Sequence, residues 1–305
     1  YDVRYIRADT FGAGLERFFE DNPEATLVSM RSPSYGSERQ FRELVAAAGG
    51  AVRFVENELF VSTRRAFDEW ANDDGSFKHE PFYRWMRRES GVLMEDEEPL
   101  GGEWNFDEHN REFPPGEWRA PPIPSVEHDD RTAETAAWVA ETFDTWGRTD
   151  GFRWPVTREQ ARDLLDHFVD ERLPEFGPYQ DAMRRDDWAM THALLSSSLN
   201  VGLLHPVEVI EAVENSYHER EHVGLASAEG CIRQVLGWRE FVRHVYRHTM
   251  PELATANALG APRGLPEFYW TGETAMRCLA DTVEDVHTRG YAHHIQRLMV
   301  LANFA

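Results

Sequence analysis

The stretch from Ala226 to Met250, ASAEGCIRQVLGWREFVRHVYRHTM, constrains the fold more than any other part of the chain. It carries no proline before Pro251 and reads as a helix of roughly six turns at ~3.6 residues per turn. Gln234, Trp238, Phe241, Val245 and His248 fall on one narrow stripe, while Arg239, Arg243 and Arg247 share a second face with Ile232 and Leu236. A surface helix segregates apolar from charged residues, and this one does not. A helix apolar at several angles is buried, so its arginines need anionic partners or must snorkel to water.

The chain has 305 residues, enough for two domains with a core. Lys and Arg total 32 against 54 Asp and Glu, a formal charge of −22, and Lys78 is the lone lysine. Such a surface fits a halophilic cell and opposes non-specific binding of a polyanion, because cationic contacts to phosphate weaken steeply with salt. Two cysteines, Cys231 and Cys278, exclude a disulfide framework and point to a reducing, cytoplasmic compartment. No apolar run approaches the ~20 residues of a membrane span. No signal peptide is visible, Tyr1 opens within a strand pattern, and Ala305 follows an apolar helix pattern without a stop signal. The chain therefore reads as cut at both ends.

Strand and helix patterns alternate over the first seventy residues. Strands are expected at Val3–Ile6, Ala25–Met30 and Ala51–Val55, and helices at Gly14–Asn22, Glu38–Ala48 and Thr63–Ala71. This alternation implies a parallel sheet wrapped by crossover helices. The turn Ser32–Gly36 lies where such sheets bind ligands, but no GxGxxG accompanies it. From Thr132 onward, helix follows helix: Thr132–Trp146, Thr157–Arg172, Tyr179–Arg185, Ala193–Leu199, Pro206–Ser216, the central stretch, Glu273–His287 and Tyr291–Phe304. Thr157 with Gln160, and Pro206 after His205, read as helix starts. The expected fold is thus an α/β amino-terminal domain with a parallel, Rossmann-like but incomplete sheet (1–95), a Pro-, Gly- and Trp-rich linker (96–131) and an all-α domain (132–305). Trp104 and Trp118 of the linker read as packing residues.

Two segments of the helical part carry polar chemistry. Ser196, Ser197 and Ser198 stand at a helix end beside an apolar run, which suits a phosphate seat or a plain cap. His294 and Arg297 lie one turn apart and read as hydrogen-bonding or phosphate-contacting residues. His293 and His294 invite a metal, but neighbours on a helix point about 100° apart, which argues against a shared ion.

The ordered motifs LLSSSLNVGLL, CIRQVLGWREF, FYWTGETAMRCL and GYAHHIQRLM resemble the photolyase/cryptochrome family. GGEWNFDEHNREFPP, FGPYQDAM and YAHHIQRLMV are most similar to its deoxyribodipyrimidine photolyase-related branch, the prokaryotic (6-4) photolyases and cryptochromes with an iron–sulfur cluster. The resemblance runs from about Glu69 to Ala305 and is looser before that. It implies FAD, folded into a U, inside the helical domain. Tyr179 and the segment from His192 through Ser196, Ser197, Ser198 and Leu199 match sugar and phosphate contacts, and Arg239 lies against the cofactor. Gln234 and Trp238 match positions facing the flavin or a flipped lesion. Tyr269 and Trp270 match an aromatic electron-transfer chain. His248 is the candidate active-site histidine, with His244 as the alternative. Cys231 matches the first ligand of a [4Fe–4S] cluster, Cys278 a position not used, and the other thiolates are expected beyond residue 305. The strands that hold a lumazine antenna are expected before residue 1.

The function so implied is light-driven repair of UV-damaged DNA, chiefly (6-4) photoproducts, by electron transfer from reduced FAD to a flipped-out lesion, in a monomer with no membrane attachment. Arg184, Arg185, Arg243, His244, Arg247 and Arg289 are the candidates for a local positive surface. A cryptochrome-type photoreceptor with little repair is the alternative, and an inactive fragment is a second.

Overall fold

The computed structural model describes residues 3–74 and 77–304. Residues Tyr1–His79 with Arg239–Ala258 form one compact unit, and Glu80–Trp238 with Leu259–Ala305 form another. The first unit thus takes in Arg239–Ala258, a segment that the sequence assigns to the helical part.

In the first unit, helix α1 (Phe11–Asp21), strand β1 (Thr26–Met30), helix α2 (Ser37–Ala47), strand β2 (Ala51–Val55) and helix α3 (Arg64–Asp74) follow one another. β1 and β2 pair in parallel, from Thr26 opposite Ala51 to Met30 opposite Val55, with α2 as the crossover. Phe19, Val45 and Val52 form the core of this layer, flanked by Leu27, Phe41 and Phe54. Gly50 admits no side chain, because a Cβ there would sit 2.0 Å from the Phe19 ring. The strand expected at Val3–Ile6 is irregular. Val3 and Tyr5 are more than four-fifths exposed, and among the described residues no strand pairs with this segment, so the alternation has nothing to bind. Tyr1, expected within that strand, lies outside the described residues.

The central stretch is helical throughout but not uniformly α. An α-helix, Leu225–Ile232, gives way to a π segment, Arg233–Arg239, and then to a second α-helix, Glu240–Thr249. A π turn shifts the phase of everything after it. The expected stripe is accordingly split, with Phe241 buried and Trp238 42% exposed. The expectation that its arginines find anions is met. Glu240, fully buried, lies 3.6 Å from Arg243 and 3.9 Å from Arg239, and Arg247 pairs with Asp68. Glu240 also accepts from Val61 N (2.9 Å), Ser62 N (3.1 Å) and Ser62 Oγ (2.7 Å). Ser62 Oγ in turn lies 2.8 Å from His244 Nε2, and the His244 ring stacks on Phe67 at 4.3 Å. With the Ser62 hydroxyl donated to Glu240, His244 is the Nε2–H tautomer.

The second unit is helical apart from a two-residue antiparallel ribbon, Met94–Glu95 with Glu98–Pro99. Thr157 and Gln160 form the reciprocal cap read from the sequence, and His205 caps the helix that opens at Pro206. The linker packs within this unit: Trp104 is covered by Arg84, Arg87 and Arg88, and Trp118 Nε1 donates to Glu175 at 2.9 Å. Several helices depart from expectation. Leu173–Tyr179 ends where one was expected to begin, with Pro178 inside its last turn. The helix expected at Ala193 starts at Ser196, since Met190 and Leu194 adopt left-handed φ values of 48° and 60°. The last two helices are Arg277–Arg289, stopped by left-handed Gly290, and a π segment, Gln296–Leu301.

His244 resists protonation. Burial, and then the neighbouring Arg243 and Arg247, push its pKa down to about 2. An unfolded histidine titrates near ~6.5, so below about pH 6 the unfolded chain binds a proton that the native chain refuses, and stability falls as the pH falls towards about 3. The slope from this residue is about 1.4 kcal/mol per pH unit. Urea unfolding of His244→Asn should therefore lose stability less steeply than wild type over that window, by about one proton. Parallel curves would contradict the assignment.

Candidate functional site

The loop that replaces the first turn of the expected Ala193 helix builds the site. Its left-handed residues turn the His192 ring inward, where Nδ1 lies 3.0 Å from Ala189 O and Nε2 3.1 Å from Gln180 O. The His293 ring stacks on His192 at 4.5 Å, and the His294 ring meets it edge-on at 5.4 Å. The angular argument that kept His293 and His294 apart fails, because His293 precedes the first helical residue. His192 and His293 are buried; burial is the main cause that keeps both neutral, with His293 pushed down to about 3. His294 is half-buried, with Nε2 3.0 Å from Asp181. Asp181 went unselected in the sequence although it stands inside the quoted motif FGPYQDAM; its signal was its pairing, which spacing alone does not show.

Beside this cluster in the sequence, Ser196 and Ser197 form one wall of a cavity of about 310 Å³. Arg148, Arg153 and Arg289 supply positive charge to it, and Phe152, Trp154 and Tyr291 supply flat apolar surface. Trp154 Nε1 donates to Arg289 O at 2.9 Å, and the Trp154 and Tyr291 rings are 5.7 Å apart. The hydroxyls of Ser197 and Ser198 are buried without a hydrogen-bond partner. Three arginines and a buried orphan hydroxyl around a cavity suit a phosphate-bearing ligand with a ring system. Arg148 and Arg153 were not selected from the sequence.

The other expected site residues are more dispersed. Tyr179 packs edge-on to Trp118 at 5.0 Å, and Leu199 is buried in the short helix of the serines. Gln234 bonds Gly230 O at 3.3 Å, and Arg297 Nε donates to Ala292 O at 2.7 Å. Arg239 donates to Leu59 O at 2.8 Å and covers Phe60 at 4.2 Å. Tyr269 bonds Leu301 O and stacks on Phe268, and Trp270 is 60% exposed. His248 is 2.8 Å from Asp68, and His244 is locked to Ser62 in the interior. The arginines expected to face phosphate are largely engaged: Arg184 with Trp118 O and Gly116 O, Arg185 with Asp281, Arg243 with Ser62 O, Arg247 with Asp68 and Arg289 with Asp285. Cys231 is buried and its thiol is pushed up to about 12 by desolvation, while Cys278 is exposed. A four-thiolate cluster cannot be assembled from these two residues.

Residues 1–154 match the profile of the family described as deoxyribodipyrimidine photo-lyase-related protein. The chain belongs to this family. Over its whole length it is 37% identical to a (6-4) photolyase of Agrobacterium fabrum, of which it covers 61%. It is also 34% identical, over 32% of its length, to 74% of an uncharacterised protein of Acanthamoeba polyphaga mimivirus. Its fold resembles that of a bacterial class III photolyase from Agrobacterium tumefaciens, with a TM-score of 0.60 at 19% identity, over 95% of this chain and 56% of that one. The chain thus has a photolyase-like fold and spans about three-fifths of the curated relative. Among the described residues, no helix is long and apolar enough to cross a membrane.

The orphan hydroxyl gives a direct check on the cavity. A buried donor without a partner costs about 1–3 kcal/mol. Ser197→Ala should leave the ligand-free protein as stable as wild type or more stable by about 1 kcal/mol in urea unfolding. A loss of more than about 1 kcal/mol would show that the hydroxyl is already satisfied.

Proposed function

We propose that this chain forms the flavin- and lesion-binding part of a light-driven enzyme that repairs (6-4) photoproducts in UV-damaged DNA. Family membership supports the class, and the likeness to a (6-4) photolyase supports the lesion. The observation that carries the flavin is the cavity of Ser196, Ser197, Arg148, Arg153 and Arg289, with Ser197 holding an unpartnered hydroxyl inside an acidic chain of net charge −22. The donor set fits the phosphate-bearing portion of FAD, and Trp154, Tyr291 and Phe152 suit its rings. Bound FAD, reduced and excited by light, would supply one electron to the lesion and take it back.

The chain's own residues position the reactants and hold the proton. Arg148, Arg153 and Arg289 neutralise phosphate, and the serines fix its register. A lesion must leave the duplex to react, at a cost of a few kcal/mol that damaged stacking lowers. His294 takes the role of active-site acid in place of His248, because it is accessible and its ring is oriented. Asp181 accepts from Nε2–H, which leaves Nδ1 to hold or give a proton to an extruded base. His248 is instead tied to Asp68, and His244 lies in the core. Trp270, exposed beside Tyr269, suits the solvent end of an aromatic relay. Cys231 remains the candidate first ligand of an iron–sulfur cluster whose other thiolates are not among these 305 residues.

The FAD-reconstituted protein should repair a (6-4) oligonucleotide under blue light. His294→Ala should slow repair about 10²-fold or more, the loss expected for a general acid, while retaining bound flavin. Equal repair by His294→Ala and wild type would sink the acid assignment, and no repair by wild type would sink the function.

A further inference from the structure

The histidine cluster has more nitrogen than a proton donor needs. One ring nitrogen from each of His192, His293 and His294 lies within 4.8 Å of the other two. His293 is 3% exposed and its Nδ1 has no partner. A neutral His192 has a single N–H, yet both of its nitrogens face carbonyl oxygens at 3.0–3.1 Å, so one lone pair confronts another. A cation accepting that lone pair relieves this.

We propose that His192, His293 and His294 bind one divalent transition-metal ion of the zinc, cobalt or nickel class. The outer contacts have the form that metal-binding histidines use. Ala189 O accepts from His192 Nδ1, so the ion would take Nε2 in place of its present contact with Gln180 O, while Asp181 accepts from His294 Nε2 and leaves Nδ1. Three neutral imidazoles with no carboxylate among them favour ions that prefer nitrogen and exclude magnesium and calcium, which take oxygen. Tetrahedral bonds of about 2.0–2.1 Å need ligands about 3.4 Å apart with the ion in each ring plane, so binding turns His293 out of its parallel stack on His192 and draws in half-exposed His294. A three-histidine site leaves a fourth position open to water or a ligand. An ion on His294 Nδ1 would also remove the nitrogen assigned to proton transfer, so the metal would act as an inhibitor of that step.

The test needs no flavin and no light, so its failure is separable from failure of the repair reading. The metal-free protein is titrated with Co²⁺ and read by visible d–d absorption and by calorimetry, with circular dichroism to verify folding. One Co²⁺ per chain is expected, displaced by Zn²⁺ and not by excess Mg²⁺. His294→Ala, at the accessible member, should weaken binding about 100-fold or more. Asp181→Asn, which keeps all three ligands, should weaken it about 10- to 100-fold. Replacing the exposed His218 and His222 by Ala should change nothing. Absence of stoichiometric cobalt binding, or binding that survives His294→Ala but falls with the His218/His222 pair, would overturn the site.

Discussion

Two carboxylates on one helical stretch, Glu229 and Glu240, are removed from water completely, and much of the structure answers to that constraint. An isolated buried charge is prohibitively costly, so each must be met by donors fixed in place. Arg233 lies 3.1 Å from Glu229, with Asp107 on the other side of the guanidinium and Phe106 N donating at 3.3 Å. Glu240 is met by the Val61 and Ser62 amides and by the Arg239 and Arg243 guanidiniums. Removing one partner of such a pair leaves an uncompensated buried charge, typically a loss of about 3–5 kcal/mol. The pairs therefore specify which loops close on the helix more than they add net stability. In the sequence, the π segment Arg233–Arg239 lies between the two carboxylates.

That arrangement was partly legible. Arginines at 239, 243 and 247 on an apolar helix demand anions, and the structure supplies Glu240 and Asp68. The parallel pair followed from alternating patterns, and the Thr157 cap from its Gln three residues on. The π turn was not legible, because local spacing assumes 3.6 residues per turn. Neither were the left-handed conformations of Met190 and Leu194, residues with no intrinsic preference for them, although they turn His192 inward. His293 and His294 were separated on a helix that begins one residue too late for that argument. At Val3–Ile6 the local pattern was present, and among the described residues no strand pairs with it.

Charge explains why the candidate site is small. In a chain of net charge −22, most arginines are held by carboxylates or carbonyls and serve as struts, Arg87 being fully buried among the carbonyls of Val92, Leu93 and Trp104. Arg148, Arg153 and Arg289 bring positive charge next to an unpartnered hydroxyl at the cavity, although Arg148 is also paired with Asp150 and Arg289 with Asp285. Family membership and the photolyase-like fold are established, and the flavin proposed above would be held through its phosphates at that cavity, in the same unit as the Asp181–His294 pair.

The most direct measurement is equilibrium binding of FAD to the purified chain, followed by flavin fluorescence and visible absorption before and after blue light. The account predicts one FAD per chain, quenched on binding, weakened about tenfold or more by Arg289→Ala through loss of a charge-assisted phosphate contact, and bleached by light in the presence of a reductant. FAD that remains unbound, or that binds equally well to Arg289→Ala, would contradict it.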